Sequence, residues 1–215
     1  MKAVIFDMDG VILDSEWLVI DCWKVIGEKY NIPNVEENCR KCLGVNKEAA
    51  ERIFLDFYGE DFPHAAYGRE ASELFHEREK AELKLKPGVV EFLSWLKEQG
   101  YSIGLATSTR EVVAKAQLEN LGVLFYFDKV VCGDMLKKSK PEPDIYLMAC
   151  DRLGVSPKES YAIEDSFNGI RSAYSAGMKA IMVPDLIEPD EEMKEKSTVI
   201  LENLMEVKKW MEKNV

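Results

Sequence analysis

Positive charge is what this sequence has too little of. Its 215 residues carry 28 Lys and Arg against 39 Asp and Glu, a formal net charge of -11, which disfavours partners such as nucleic acid or acidic membrane. Phosphorylated small molecules remain open, because a few basic residues or a bound cation can reverse the potential inside one cleft. Histidine is scarcer still: His64 and His76 are the two present, too loosely spaced from the CxxC of Cys39 and Cys42 to suggest a zinc set. Five scattered cysteines do not make a disulfide framework, and a reducing cytoplasm is the expected setting. No apolar run approaches membrane-spanning length, no signal peptide is expected, and no repeat or low-complexity tract interrupts the chain. What is there is an ordinary globular composition, 47% hydrophobic and 31% charged, in a chain long enough for a core that carries a smaller domain.

The stretch KAVIFDMDGVILD, residues 2–14, organises the rest. Ala3 to Phe6 form an apolar run of buried-strand length that ends in Asp7 and Asp9, with Gly10 next. Two crowded carboxylates are costly unless a cation or a transferring group shares the site. One reading is that both meet Mg²⁺ and a phosphoryl group, Asp7 attacking phosphorus and Asp9 moving a proton. The other is an acidic turn that merely caps the next segment of chain.

Beyond Asp14 the pattern turns helical, and no convincing strand returns until after Pro87 and Gly88. From there strands and helices alternate: YSIGLAT, KVVC, SYAIED and KAIMV read as strands, with helices between them. A short strand is expected at residues 198–200 and a terminal helix through residues 207–212. Strands separated by helices of this length imply βαβ units and a parallel sheet covered on both faces. The expected fold is therefore α/β, a doubly wound, Rossmann-like parallel sheet with an inserted all-helical cap. Residues 1–14 and 84–215 are assigned to the core and 15–83 to the cap.

Ligands of such sheets lie beyond the carboxyl ends of the strands, and those ends carry chemistry. Thr107 and Ser108 follow one strand and offer hydroxyls and N–H groups to phosphate oxygens, or simply cap the next helix. Lys140, in SKPEPD, could neutralise a phosphate and a nucleophilic carboxylate, or be a surface lysine. Glu164 and Asp165 end another strand. Either could complete a Mg²⁺ shell with Asp7, Asp165 being preferred and Glu164 a supporting neighbour, or Asp165 could cap the following helix. Independent structural explanations for all of these at equivalent strand ends are less economical than one distributed site.

These motifs resemble the haloacid dehalogenase superfamily, in particular its β-phosphoglucomutase-like subfamily with a helical cap. FDMDGVILDSE, LATST, KSKPEPDIY and AIEDSFNGIRSAYSAGM are similar to its four motifs, in its order. The resemblance implies that Asp7 forms an aspartyl-phosphate and that Asp9 serves as general acid and then base. It also implies that Thr107 and Ser108 bind phosphate, that Lys140 balances charge, and that Asp7, the Asp9 carbonyl, Asp165 and neighbouring Glu164 hold Mg²⁺. Dehalogenases of the superfamily lack the second aspartate, so Asp9 points to phosphoryl transfer.

In the cap the likeness is weaker. Lys47 stands where the mutases place an arginine on the distal phosphate of a sugar bisphosphate, and could equally be a solvent-exposed lysine; it loses the bidentate fork. Val19 replaces a mutase histidine, and Arg110 and Glu111 replace lysine and asparagine. The expected function is a Mg²⁺-dependent phosphatase acting on small phosphorylated metabolites, sugar phosphates first. The alternatives are a β-phosphoglucomutase-type mutase, a pyrophosphatase or nucleotide phosphatase, and a non-catalytic phosphate-ligand-binding protein. A monomer is compatible with the sequence, which leaves the oligomeric state open.

Overall fold

The computed structural model describes residues 2–42 and 47–215, without the side chains of Lys47 and Glu48. Its contacts divide the chain into two compact units, Met1–Leu13 with Leu85–Val215, and Asp14–Lys84. The α/β parallel sheet with an inserted all-helical cap is the architecture observed.

In the first unit six strands form one parallel sheet. In chain order they are β1 (Ala3–Phe6), β2 (Ser102–Thr107), β3 (Lys129–Cys132), β4 (Tyr161–Glu164), β5 (Lys179–Met182) and β6 (Val199–Ile200), and their spatial order is 3-2-1-4-5-6. All four side chains of β1 are buried, which is why its sequence is continuously apolar rather than alternating. The strand order reverses at β1, so its carboxyl end opens between the ends of β2 and β4. Phe6 is in register with Leu105 on one side and Ile163 on the other, and Asp7 N–H donates to Ile163 O at 2.9 Å.

The intervening helices cover the sheet. An apolar cluster around Ile5, Ala106, Tyr146, Ala162, Ile170 and Met182 ties the central strands to the helices on one side. The terminal helix runs from Leu204 to Asn214, longer than the apolar spacing alone suggests. Asn203 starts it, its Oδ1 accepting the N–H groups of Met205 and Glu206 at 3.0 and 3.1 Å.

The second unit contains the helices Glu16–Tyr30, Val35–Lys41, Lys47–Tyr58 and His64–Glu82. Several of its aromatics pack on one another: Trp23 lies 4.8 Å from Phe54 between ring centroids, and Tyr58 lies 4.5 Å from Phe62. Cys39 belongs to that apolar cluster, and burial pushes the Cys42 thiol up to about 11 and Cys39 higher still. Both are therefore neutral thiols in ordinary conditions. Lys47 begins the third of these helices, and its side chain lies outside the described residues. Among the described residues no helix is long and apolar enough to cross a membrane.

Candidate active site

The carboxyl ends of β1, β2 and β4 bring most of the sequence-derived candidates into one place, wholly within the α/β unit. Asp7 follows β1 and is 7% exposed. Lys140 precedes the helix Asp144–Leu153 and reaches back to the sheet. Its Nζ donates to Asp7 Oδ1 at 2.5 Å, to Glu164 Oε1 at 2.6 Å and to Ala106 O at 3.0 Å. These three bonds use the three donors of an ammonium. This lysine is thus an internal cation rather than a surface one, its side chain 7% exposed.

Glu164 is fully buried. Besides Lys140 it accepts the Tyr146 hydroxyl at 2.6 Å on the same oxygen, while Ser166 Oγ donates to Oε2 at 3.2 Å. The helix Phe167–Ser175 begins beside it, and Ser166 caps that helix by accepting Gly169 N–H at 3.1 Å. Ser166 is thus the N-cap residue of this helix. A Cβ on Gly169 would stand 1.9 Å from Glu164 Cδ, so the glycine permits the helix to start against the buried carboxylate.

Asp165 faces the β1 turn instead. Gly10 has φ +78°, and a Cβ there would lie 2.2 Å from Asp165 Oδ2. The glycine after Asp9 thus serves both the left-handed turn and the approach of a second carboxylate. Asp7, Glu164 and Asp165 each offer an oxygen, and these oxygens all lie within 4.8 Å of one another. Hard oxygen donors in a tight group suit Mg²⁺, which keeps several waters and needs few protein ligands. With Asp9, whose charge also acts on Asp7, four carboxylates gather here against the Lys140 cation that bonds to Asp7 and Glu164, and that imbalance favours a divalent cation. The cluster fits the expected metal.

On the β2 side Thr107 is fully buried and Ser108 is exposed. Thr107 Oγ1 accepts Thr109 N–H at 3.0 Å, and Thr109 Oγ1 donates to Asp9 Oδ2 at 2.9 Å. Sequence reasoning missed Thr109 and Tyr146. Both sat inside motifs already singled out, LATST and KSKPEPDIY, but their roles depend on neighbours about 20 and 100 positions away along the chain.

Burial, reinforced by Glu164 and Asp9 and opposed by Lys140, pushes the Asp7 carboxyl up to about 8. Burial disfavours the charge on Lys140, but Asp7 and Glu164 outweigh it and hold its ammonium above the usual lysine range. A carboxyl raised on folding binds more protons folded than unfolded, so metal-free stability falls as pH rises from the ordinary carboxylate range through about 8. Mg²⁺ binding must then expel that proton. Calorimetric titration in buffers of different ionisation enthalpy is expected to show roughly one proton released per ion near pH 7, falling toward none above about pH 9. Release that does not change across this range would contradict the assignment.

The sequence and structure comparisons agree with this geometry. Residues 4–183 match the haloacid dehalogenase-like hydrolase family. A phosphorylated carbohydrates phosphatase of Thermotoga maritima is 37% identical over 186 residues, covering 84% of each chain. A β-phosphoglucomutase of Bacillus subtilis is 36% identical over 192 residues, covering 85% of this chain and 83% of its own. Among solved structures, CbbY of Rhodobacter sphaeroides in complex with phosphate superposes with a TM-score of 0.74 at 27% identity, over 95% of both chains. With the family profile, the two relatives and the helical insert in agreement, the chain belongs to the haloacid dehalogenase-like hydrolases, an enzyme family, in the β-phosphoglucomutase-like branch that carries a helical cap.

Proposed function

We propose that this chain is a Mg²⁺-dependent phosphatase that hydrolyses small phosphorylated metabolites, sugar phosphates foremost, through an aspartyl-phosphate on Asp7. The observation that carries the reading is Asp7 Oδ1 held 2.5 Å from Lys140 Nζ, with Asp9 two residues on. One oxygen of the nucleophile is fixed by the lysine, which leaves the other to attack phosphorus in line. Thr107, whose oxygen accepts Thr109 N–H, keeps its own proton for a phosphate oxygen. Ser108 adds a backbone donor.

As the P–O bond to the leaving group breaks, Asp9 gives that oxygen a proton and becomes a carboxylate. A water then attacks the phosphorus of the acyl-phosphate and Asp9 takes up its proton, so both residues return to their starting state. Asp7, Asp165 and the Asp9 carbonyl would hold the ion with Glu164 beside them, Glu164 also accepting from Lys140 and Tyr146. What bound Mg²⁺ supplies is positive charge beside the phosphate, which offsets its repulsion from Asp7.

Relatives of nearly equal identity are named a phosphatase and a mutase, so the choice rests on Val19. A valine there cannot make the hydrogen bonds of the histidine that the mutases carry, which removes a polar restraint on transfer to water. The cytoplasm remains the proposed location, all five cysteines being free thiols.

The test is a panel of hexose and pentose phosphates, pyrophosphate and nucleotides. The expected result is Mg²⁺-dependent release of inorganic phosphate, greatest with sugar phosphates. Conversion of β-glucose 1-phosphate to glucose 6-phosphate, primed by the bisphosphate and faster than phosphate release, would make it a mutase. Activity confined to pyrophosphate or nucleotides would keep the chemistry and remove the sugar.

A further inference from the structure

We propose that Thr109 is a positioning residue that fixes which oxygen of Asp9 exchanges its proton with the leaving group. The proposal rests on Asp9 being the acid and base of the phosphatase reaction, and on the geometry around Thr109.

Thr109 is anchored on both sides of its peptide. Its N–H donates to Thr107 Oγ1 at 3.0 Å, and its carbonyl accepts Gly133 N–H at 3.2 Å. The first bond ties it to the end of β2 and the second to the residue after β3. From that fixed backbone the hydroxyl donates to Asp9 Oδ2 at 2.9 Å. Thr109 is the donor in this bond, so its hydroxyl proton occupies a lone pair of Oδ2. That hydrogen bond orients the carboxyl group so that Oδ1 carries the proton that Asp9 passes to the ester oxygen and later recovers from water. The hydrogen bond also restricts rotation of the carboxylate about its last side-chain bond. General acid catalysis depends on such aim, since a misplacement of about 1 Å can cost on the order of 100-fold.

An alkoxide is a poor leaving group and needs Asp9's proton, whereas p-nitrophenolate leaves without one. Losing the aim should therefore harm one ester and spare the other. The test compares the single-turnover rate at which the leaving group departs, glucose from glucose 6-phosphate or p-nitrophenolate from p-nitrophenyl phosphate, in Thr109→Val, Thr109→Ser and Asp9→Asn proteins, so that the later attack of water, which needs Asp9 with either ester, does not enter. Valine keeps the shape and removes the hydroxyl. The expected result is a loss of about 10- to 100-fold on glucose 6-phosphate for Thr109→Val. On p-nitrophenyl phosphate it should lose less than about 3-fold, and serine should restore the first activity.

Turnover of the aryl ester by the same preparation reports that the variant is folded. Equal losses on both esters, no loss on either, or failure of serine to restore would overturn the role of Thr109. Should Asp9→Asn itself show no selectivity between the esters, or the wild type hydrolyse neither, the acid role of Asp9 falls and Thr109 falls with it. A selective Asp9→Asn beside an unselective Thr109→Val would overturn the threonine alone.

Discussion

Asp7→Asn protein should release phosphate at least about 10⁴-fold more slowly than wild type under saturating Mg²⁺ and sugar phosphate. The carboxamide is nearly isosteric with the carboxylate, and its oxygen can still accept from Lys140, so the scaffold should survive. What is lost is the nucleophile: the amide oxygen carries no full negative charge and cannot form a stable acyl-phosphate. The same substitution removes a buried carboxyl that is pushed up to about 8 by burial and by its acidic neighbours. Metal-free Asp7→Asn should therefore melt no lower than wild type near pH 8.5 and should release no proton on whatever Mg²⁺ it still binds. Steady-state phosphate release and thermal melts on one preparation read both effects. Turnover within about 10-fold of wild type would exclude Asp7 as the attacking group.

The kind of chemistry was legible in the sequence because carboxylates, hydroxyls and a lysine followed apolar strands, and in a parallel sheet every strand end faces the same edge. The six-strand order was not, since nothing local in β1 states that its neighbours are β2 and β4. Asp165 and Glu164 illustrate the same limit. Adjacent acidic residues after a strand read alike, and alternation of side chains separates them: Glu164 turns into the core toward Tyr146 and Lys140, while Asp165 faces Gly10. Ser166 proved to be the N-cap residue of the following helix. Thr109 drew no role from LATST, because it is the turn after β1 that places Asp9 beside it. The terminal helix starts before its apolar spacing does because the Asn203 side chain caps it, a polar signal that apolar periodicity does not register. The cap resisted most, since its aromatic residues carry no periodic signature that separates an inward ring from an outward one.

Lys140→Met should be the most damaging change to both folding and turnover. Methionine fills much the same volume but leaves Asp7 and Glu164 without the cation that bonds to both at 2.5 and 2.6 Å. Breaking a buried ion pair from one side typically costs about 3–5 kcal/mol, because the remaining charge stays out of water. Here two carboxylates are left, so protonation becomes the escape, and Asp7, already pushed up to about 8, should hold its proton to still higher pH than in wild type. That protonation sets the sign of the pH dependence: without metal the variant's deficit in urea-denaturation free energy should be greater near pH 9 than near pH 6, because wild-type Asp7 ionises at about 8 beside the lysine whereas the variant's carboxyl stays protonated. Mg²⁺ should recover part of the deficit at pH 9 by supplying charge to Asp7. Turnover should not recover, since a protonated or misdirected Asp7 does not attack, and a fall of about 10³-fold or more is expected. A deficit equal at both pH values would mean that the lysine acts through packing alone. Lys140→Arg is the sharper control, because a planar fork cannot send three bonds to Asp7, Glu164 and the Ala106 carbonyl as the tetrahedral ammonium does. It should keep more of the stability than methionine and still lose most of the activity, separating the charge of Lys140 from its geometry.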